Sequence, residues 1–342
     1  MKVSWQVTYQ TDIRIGIHKN QLFRRNNSVT ESISHLRPQR LKALYTLIRI
    51  FPTLSWGISS SFLGLGFAYT VDSQIRWFDY GLILLFIVLV HGVLAHAYND
   101  REDWLSGTDQ LSPGILSGGS GVVGSSQYTL VELSLIGKIA FLLSCMIAIY
   151  FLWRVGPSIL ILLAIAFWSA IAYSCAPLRL AYHPFAGEWL CGFPAVLGCA
   201  VGTYFVLTNT VHGAVVIAGS IHALLAIGLL MHHHLSDISS DLQAVPPKLT
   251  TVALVSIKLG MRRTPYVELA YFLLALIMGV LGCIFFHPVF WVTIPTTLGC
   301  MGIALTTNPE DIIGVAKRQY WIYGLIIGDA VIKTALLFYL HG

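Results

Sequence analysis

FDYGLILLFIVLVHGVLAHAYNDREDWLSGTD, residues 78–109, decides how this chain is to be read. Positions 78–98 are almost wholly apolar and match the ~20 residues that a membrane-spanning helix needs. The stretch then turns acidic at Asn99-Asp100-Arg101-Glu102-Asp103 and continues to Asp109. A second window, His233-His234-Leu235-Ser236-Asp237-Ile238-Ser239-Ser240-Asp241, closes another apolar run in the same way. Six of the sixteen carboxylates fall in these two windows. Anionic clusters beside a membrane are costly unless a cation neutralises them.

The rest of the composition agrees with a membrane reading. Of 342 residues, 56% are hydrophobic and 11% charged, with a mean hydropathy of +0.71. Soluble domains carry roughly 25% charged residues. Apolar stretches recur near 44–70, 78–98, 131–153, 156–175, 187–208, 212–234, 264–286, 288–306 and 319–340, which predicts an all-α polytopic membrane protein of nine transmembrane helices. Short hinges at Arg154-Val155-Gly156 and Phe286-His287-Pro288 separate neighbours by Gly and Pro. The six cysteines lie in or beside apolar runs without CxxC spacing, and read as packing residues rather than disulfides or zinc ligands.

Residues 1–43 form a basic tail, with eight Lys and Arg against Asp12 and Glu31. A cytoplasmic segment lying on anionic lipid is the plain reading, and an organelle transit peptide the alternative. The net charge of +5 requires no nucleic-acid partner, because cytoplasmic loops favour Lys and Arg. With the tail inside, sixteen Lys and Arg fall on the inner side and two, Arg76 and Arg154, on the outer. This predicts an inner N-terminus, an outer C-terminus and both acidic windows on the cytoplasmic face, in the cell's inner or plasma membrane. The inner loops near 99–130 and 235–263 are long, and loops of that length are seldom idle.

Asn99 and Asp103 are four residues apart and would share one face of a helix. Asp237 and Asp241 repeat the spacing, and His233 precedes Asp237 by four. Carboxylate and amide oxygens suit Mg²⁺, which typically bridges one or two carboxylates to substrate phosphates. Two such patches facing each other would hold a diphosphate. Hydrated helix ends are the alternative for either window alone. Asp100 and Glu102 point off the Asn99/Asp103 face and are expected to be solvated or paired with Arg101. The glycine-rich run 113–124 lacks the Gly-Lys-[Ser/Thr] of a nucleotide loop and reads as a lid or a plain flexible loop. His232-His233-His234 lacks the spacing of a zinc site, and His233 reads as a cavity-lining residue.

In these motifs the chain resembles the UbiA superfamily of intramembrane prenyltransferases. Asn99, Asp100, Asp103, Gly107 and Asp109 reproduce the NDxxDxxxGxD form of the family's first motif, seen in the dihydroxynaphthoate (menaquinone) branch. Asp237 and Asp241 match the second motif, DxxxD, and Lys248-Leu-Thr250 with Leu259-Gly260 follows as in the family. Tyr173, Pro177-Leu178, Tyr182 and Gly187-Glu188 resemble its element after the fourth helix, and Ser117-Gly118-Gly119-Ser120-Gly121 a loop of that branch. The resemblance covers about residues 44–340. Two departures stand out: His233 and His234 occupy the place of an Asn, and the Tyr-x-x-Lys of hydroxybenzoate enzymes is absent.

The resemblance implies a nine-helix domain over 44–342 that transfers an isoprenyl chain from its diphosphate to an aromatic, dihydroxynaphthoate-like acceptor in quinone or related lipid synthesis. It implies Mg²⁺ on Asn99, Asp103, Asp109, Asp237 and Asp241. Asp103, Asp237 and Tyr173 are the expected catalytic residues, with Tyr173 offering its ring face to an allylic cation. Lys248, Arg179, Arg101, Arg49 and His233 are expected to bind substrate. Arg49 is singled out because a buried Arg in a span is expensive. An ether-lipid prenyltransferase and a membrane terpene cyclase share the same ionisation step. A secondary transporter is the alternative of another class, although its acids would sit at the midplane.

Overall fold

A lipid-embedded backbone must satisfy its own hydrogen bonds, so spanning segments are helices or closed barrels. In the computed structural model, which describes residues 40–112 and 119–341, every regular element among the described residues is helical. Residues 1–39 of the expected tail and 113–118 of the glycine-rich run lie outside the described residues.

Seven helices are long and apolar enough to cross a membrane: α2 (Trp77–Ser106), α4 (Leu130–Val155), α6 (Glu188–Thr208), α7 (Gly213–His234), α10 (Met261–Phe285), α11 (Pro288–Thr306) and α12 (Ile312–His341). Nine were expected. The two other expected spans correspond to α1, residues 50–69, and the shorter α5, Pro157–Ala172. Helix α1 is diluted by Ser55, Ser59, Ser60 and Ser61, and α5 at 1.5 Å per residue falls short of the ~30 Å hydrocarbon layer. Short helices α3 (Thr108–Leu111) and α8 (Ile238–Gln243) carry the ends of the two acidic windows, and α9 (Thr251–Leu259) follows the second.

The ends are fixed by ordinary capping chemistry. Thr129 and Glu132 form a capping box at the start of α4, and Thr250 Oγ1 accepts from Ala253 N (3.2 Å) at the start of α9. Helix α7 is the axis of the bundle: 83% of its most apolar window is buried, against 33% for α4 and α10. It packs most extensively on α10 and α6.

Two boundaries differ from expectation in ways that build the site. The segment expected to run unbroken from 44 breaks at Arg49, whose backbone is left-handed (φ 49°, ψ 70°). The carbonyl of Ile48 freed by that break accepts from Thr53 Oγ1 (2.7 Å) and His96 Nδ1 (3.0 Å). Helix α2 continues past the apolar run to Ser106, so the first acidic window rides on a spanning helix.

Three helices also carry a π-helical segment, Leu54–Ile58 in α1, Val88–Leu94 in α2 and Glu188–Gly192 in α6. Such widened turns concentrate at functional sites. Trp56, His91 and Cys191, one from each, line the same cavity.

Candidate active site

The cavity has a volume of about 370 Å³ and is bounded by α1, α2, α5, α6, α7 and α12. Of the residues expected from the sequence, Arg49, Asn99, Asp103, Asp109, Tyr173, His233, Asp237 and Lys248 line it. Its remaining walls include Phe51, Trp56, Leu229, Leu230, Tyr320 and Tyr323. The carboxylates with Arg49 and Lys248 form its ionic part, and the remaining walls are mostly apolar or aromatic, with Thr53, His91, His96 and Ser169 among them.

Asp103 is the centre of the ionic part. Its carboxylate accepts from Lys248 Nζ (2.7 Å), the Tyr182 hydroxyl (2.8 Å) and Asn99 Nδ2 (3.0 Å). Asn99 and Asp103 thus share a helix face, as their spacing predicts. Lys248 reaches this point because its backbone N–H donates to Asp241 O (2.8 Å), which binds its loop to the second window. Burial pulls the Lys248 ammonium down, but Asp103 and then Asp241 outweigh it and hold it well above the ordinary lysine value.

Gly107 explains the irregular spacing of the first motif. It ends α2 in the left-handed region (φ 89°), where L side chains are strained, and the chain restarts as α3. That turn brings Asp109 to the cavity, six residues after Asp103 rather than four. Burial, then repulsion from Asp103 and Asp100, raises the Asp109 carboxyl to about 8. Gly119 (φ 71°) lies against it, and a Cβ there would collide with Asp109 Oδ2. Gly119→Ala is expected to reduce turnover at least ~10-fold by displacing Asp109 and straining the loop. Wild-type kinetics in that variant would remove Asp109 from the site.

Arg49 pairs with Asp100, which also accepts from Ser120 N (3.2 Å) and from the Ser120 hydroxyl. This corrects the expectation that Asp100 is solvated or held by Arg101: it is buried, because the α1 break aims Arg49 at it. Glu102 is buried too, and it takes both Arg101 and Arg179, the latter at 2.9 Å. Arg101 and Arg179 therefore do not line the cavity in which they were expected to bind substrate. Glu102 lies on another face of α2 and gathers them outside it.

The second window departs from a single helical face. Helix α7 ends at His234, and Asp237 is the residue before α8, so the Asp237/Asp241 spacing starts at a helix boundary. Asp241 is fully buried, and neither carboxylate oxygen takes a hydrogen bond. His234 Nδ1 is its nearest charged-group contact, at 3.7 Å. Asp237 Oδ1 accepts from Ser112 Oγ (3.2 Å), and Val245 N donates to Ser106 O (2.7 Å), so both windows are joined across the site.

The three histidines diverge. His232 Nδ1 meets Glu268 (2.7 Å) in the interior, while His233 faces the cavity, 3.8 Å from Asp237 Oδ2. Gln319 Nε2 lies 3.3 Å from His233 Nδ1 and 2.9 Å from the Tyr323 hydroxyl. If Gln319 donates to Nδ1, the His233 proton sits on Nε2, toward Asp237. Sequence reasoning passed over Gln319, Ser120 and the role of Tyr182. Only Gln319 had a signal, as a neutral amide entering an apolar span. Glu188 accepts from Thr251 Oγ1 (2.6 Å) and so supports the start of α9.

A model of the UbiA prenyltransferase family matches residues 132–310, just over half of the chain. The chain belongs to the UbiA prenyltransferase family. With its seven apolar helices, this UbiA-family enzyme is an integral, multi-pass membrane protein and a prenyltransferase. The matched region includes the second window and begins after the first. No curated protein sequence matches the chain.

Among solved structures, it is similar to a UbiA homologue from Archaeoglobus fulgidus bound to GPP and Mg²⁺, at 16% identity and a TM-score of 0.62, over 86% of this chain and 99% of that one. The same homologue bound to Cd²⁺ aligns at 14% identity and 0.56, over 84% and 99%. A digeranylgeranylglyceryl phosphate synthase aligns at 16% identity and 0.57, over 86% and 98%. At these identities the likeness is one of fold.

Proposed function

We propose that this enzyme transfers an isoprenyl chain from a prenyl diphosphate to an aromatic, dihydroxynaphthoate-like acceptor, with Mg²⁺ as cofactor. One observation carries the reading: residues of two acidic windows, far apart in sequence, meet in the ionic part of a cavity whose other walls are mostly apolar and aromatic. Such a container suits a molecule with a diphosphate head and a hydrocarbon tail. The similar A. fulgidus structures, bound to GPP or DMAPP with Mg²⁺, support the same choice of substrate.

The donor set fits Mg²⁺. Asn99, Asp103, Asp109 and Asp237 line the cavity and would hold it through oxygen atoms, while Asp241, the fifth expected ligand, is buried outside the lining and would join them only if the second window shifted. No group of three or more His, Cys, Asp or Glu is gathered into a ready-made cage among the described residues. That agrees with an ion that keeps water and takes substrate phosphates to complete its shell. When bound, Mg²⁺ supplies neutralisation of the charge that builds on the leaving diphosphate.

The protein's own groups supply the rest. Lys248 and Arg49 bring positive charge to the diphosphate end while balancing Asp103 and Asp100. The C1–O bond of the prenyl diphosphate breaks with both electrons leaving on the diphosphate. The aromatic acceptor then forms the new C–C bond at C1 and regains aromaticity by shedding the group on the attacked carbon, a proton or carbon dioxide. Tyr173 and Trp56 offer ring faces to the allylic cation between these events, and the apolar walls keep water from it.

The acceptor assignment rests on the Asn99-Asp100…Asp103…Gly107-x-Asp109 motif. It is helped by the cavity's cations, because a glycerol-phosphate acceptor would bring a further phosphate, and Arg49 and Lys248, the Lys and Arg among the lining residues, serve the diphosphate in this reading. We place the active site on the cytoplasmic face, following the Lys and Arg distribution.

The test is incubation of purified protein with geranylgeranyl diphosphate and 1,4-dihydroxy-2-naphthoate, with pyrophosphate and prenylated lipid as readouts. Both products are expected with Mg²⁺ and neither with EDTA. Full turnover in EDTA would overturn the cofactor assignment, and pyrophosphate without a prenylated acceptor would favour a cyclase.

A further inference from the structure

A second, smaller cavity of about 60 Å³ lies beside the first, between α2, α4, α5 and α6. Its walls are apolar apart from His91 and Thr203, and include Ile83, Ile87, Phe151, Leu162 and Val206. His91 and Ala195 line both cavities and form the partition between them. At about 60 Å³ it is smaller than the ~150 Å³ of an apolar cavity that takes benzene, so it admits a few methyl-sized groups, such as the branched tip of an isoprenoid chain.

The floor of this chamber is made by glycines. Gly198 and Gly202 stand one turn apart on α6 and both line it. A Cβ at Gly198 would meet only Ile165 Cγ2, at 3.9 Å, and one at Gly202 only Leu162 Cδ1, at 4.0 Å. Side chains would therefore enter the chamber without striking backbone. His91 stands in the π-helical segment of α2, with Nε2 3.6 Å from Cys199 Sγ, which holds its ring across the junction.

We infer that this chamber receives the branched tip of the prenyl chain and sets the chain length the enzyme prefers, with His91 and Ala195 as the threshold. The inference rests on the prenyl-transfer reading above. It commits to a hydrocarbon occupant because the chamber adjoins the apolar part of the active cavity and offers no charge among its lining residues.

The test compares kcat/KM for geranyl, farnesyl, geranylgeranyl and longer diphosphates, read as pyrophosphate release in the presence of the naphthoate acceptor. Gly202→Leu, which fills the chamber, is expected to lower the ratio of long-chain to geranyl kcat/KM by ~10-fold or more, since a few methylenes in an apolar pocket are worth that much. Leu162→Ala, which enlarges it, is expected to raise the same ratio. Each variant moves the ratio in its own direction, so either one decides the matter if the other accumulates poorly. A ratio unchanged in the variant that accumulates, with the parent enzyme active, would overturn the chamber's role and leave the prenyl-transfer reading standing. Absence of pyrophosphate release by the parent with every chain length would overturn that reading, and the chamber's role with it.

Discussion

Asp237→Asn is expected to lower kcat/KM for prenyl diphosphate by on the order of 10²–10³-fold, the usual cost of losing one electrostatic contact to a developing charge. The substitution keeps the shape of the side chain and its bond from Ser112 Oγ at 3.2 Å. It removes a negative charge from the cavity wall, where the proposed cation is needed. Asp237 suits this test better than Asp103, which also anchors Lys248, Tyr182 and Asn99. Losing charge at Asp103 would leave the Lys248 ammonium short of its nearest counterion, mixing a structural effect with a catalytic one. Pyrophosphate release across a Mg²⁺ titration checks the prediction. The variant should need more Mg²⁺ for half-maximal rate as well as turning over more slowly. An unchanged rate and Mg²⁺ dependence would take the second window out of the chemistry.

The second large effect concerns stability and lies far from the diphosphate end. Lys333 Nζ donates to Asp329 Oδ2 at 2.6 Å, one turn earlier on α12, and both side chains are completely buried. The ammonium also stands 5.7 Å from the centre of the Phe290 ring. Removing one member of a buried pair leaves an uncompensated charge and typically costs about 3–5 kcal/mol. Replacing both by apolar residues is often close to neutral. Lys333→Met is therefore expected to lower the thermal stability of the detergent-solubilised enzyme sharply. Asp329→Leu combined with Lys333→Met should recover most of the loss. A double variant as unstable as the single one would show that packing around Lys333, not its charge, is what matters.

The spans and the two acidic windows were legible because charge is scarce in this chain and each carboxylate near an apolar run stands out. Arg49 was legible for the same reason. The side of the membrane on which a cation lies is a different quantity from the direction in which it points. Arg101, expected in a loop, lies on α2, and both it and Arg179 were assigned to the diphosphate because nothing in the charge profile revealed that Glu102 is buried and takes both. Gln319 and Tyr182 lie 86 and 79 positions from their partners His233 and Asp103, so even the amide that stands out at the start of an apolar span gave no sign of what it would meet. The π-helical segments were invisible for another reason. One extra residue in a turn changes which side chain faces inward without changing how apolar the segment is.

Helix α7 has a mean hydropathy of 2.3, equal to that of α10, although 83% of its apolar window is covered by protein and only 33% of α10's. In the finished bundle α7 scarcely meets lipid, so its greasiness does little to solvate it there. Insertion is the stage at which hydropathy decides whether a segment enters the bilayer. The apolar character of α7 thus serves its passage out of the insertion machinery, before its neighbours close round it.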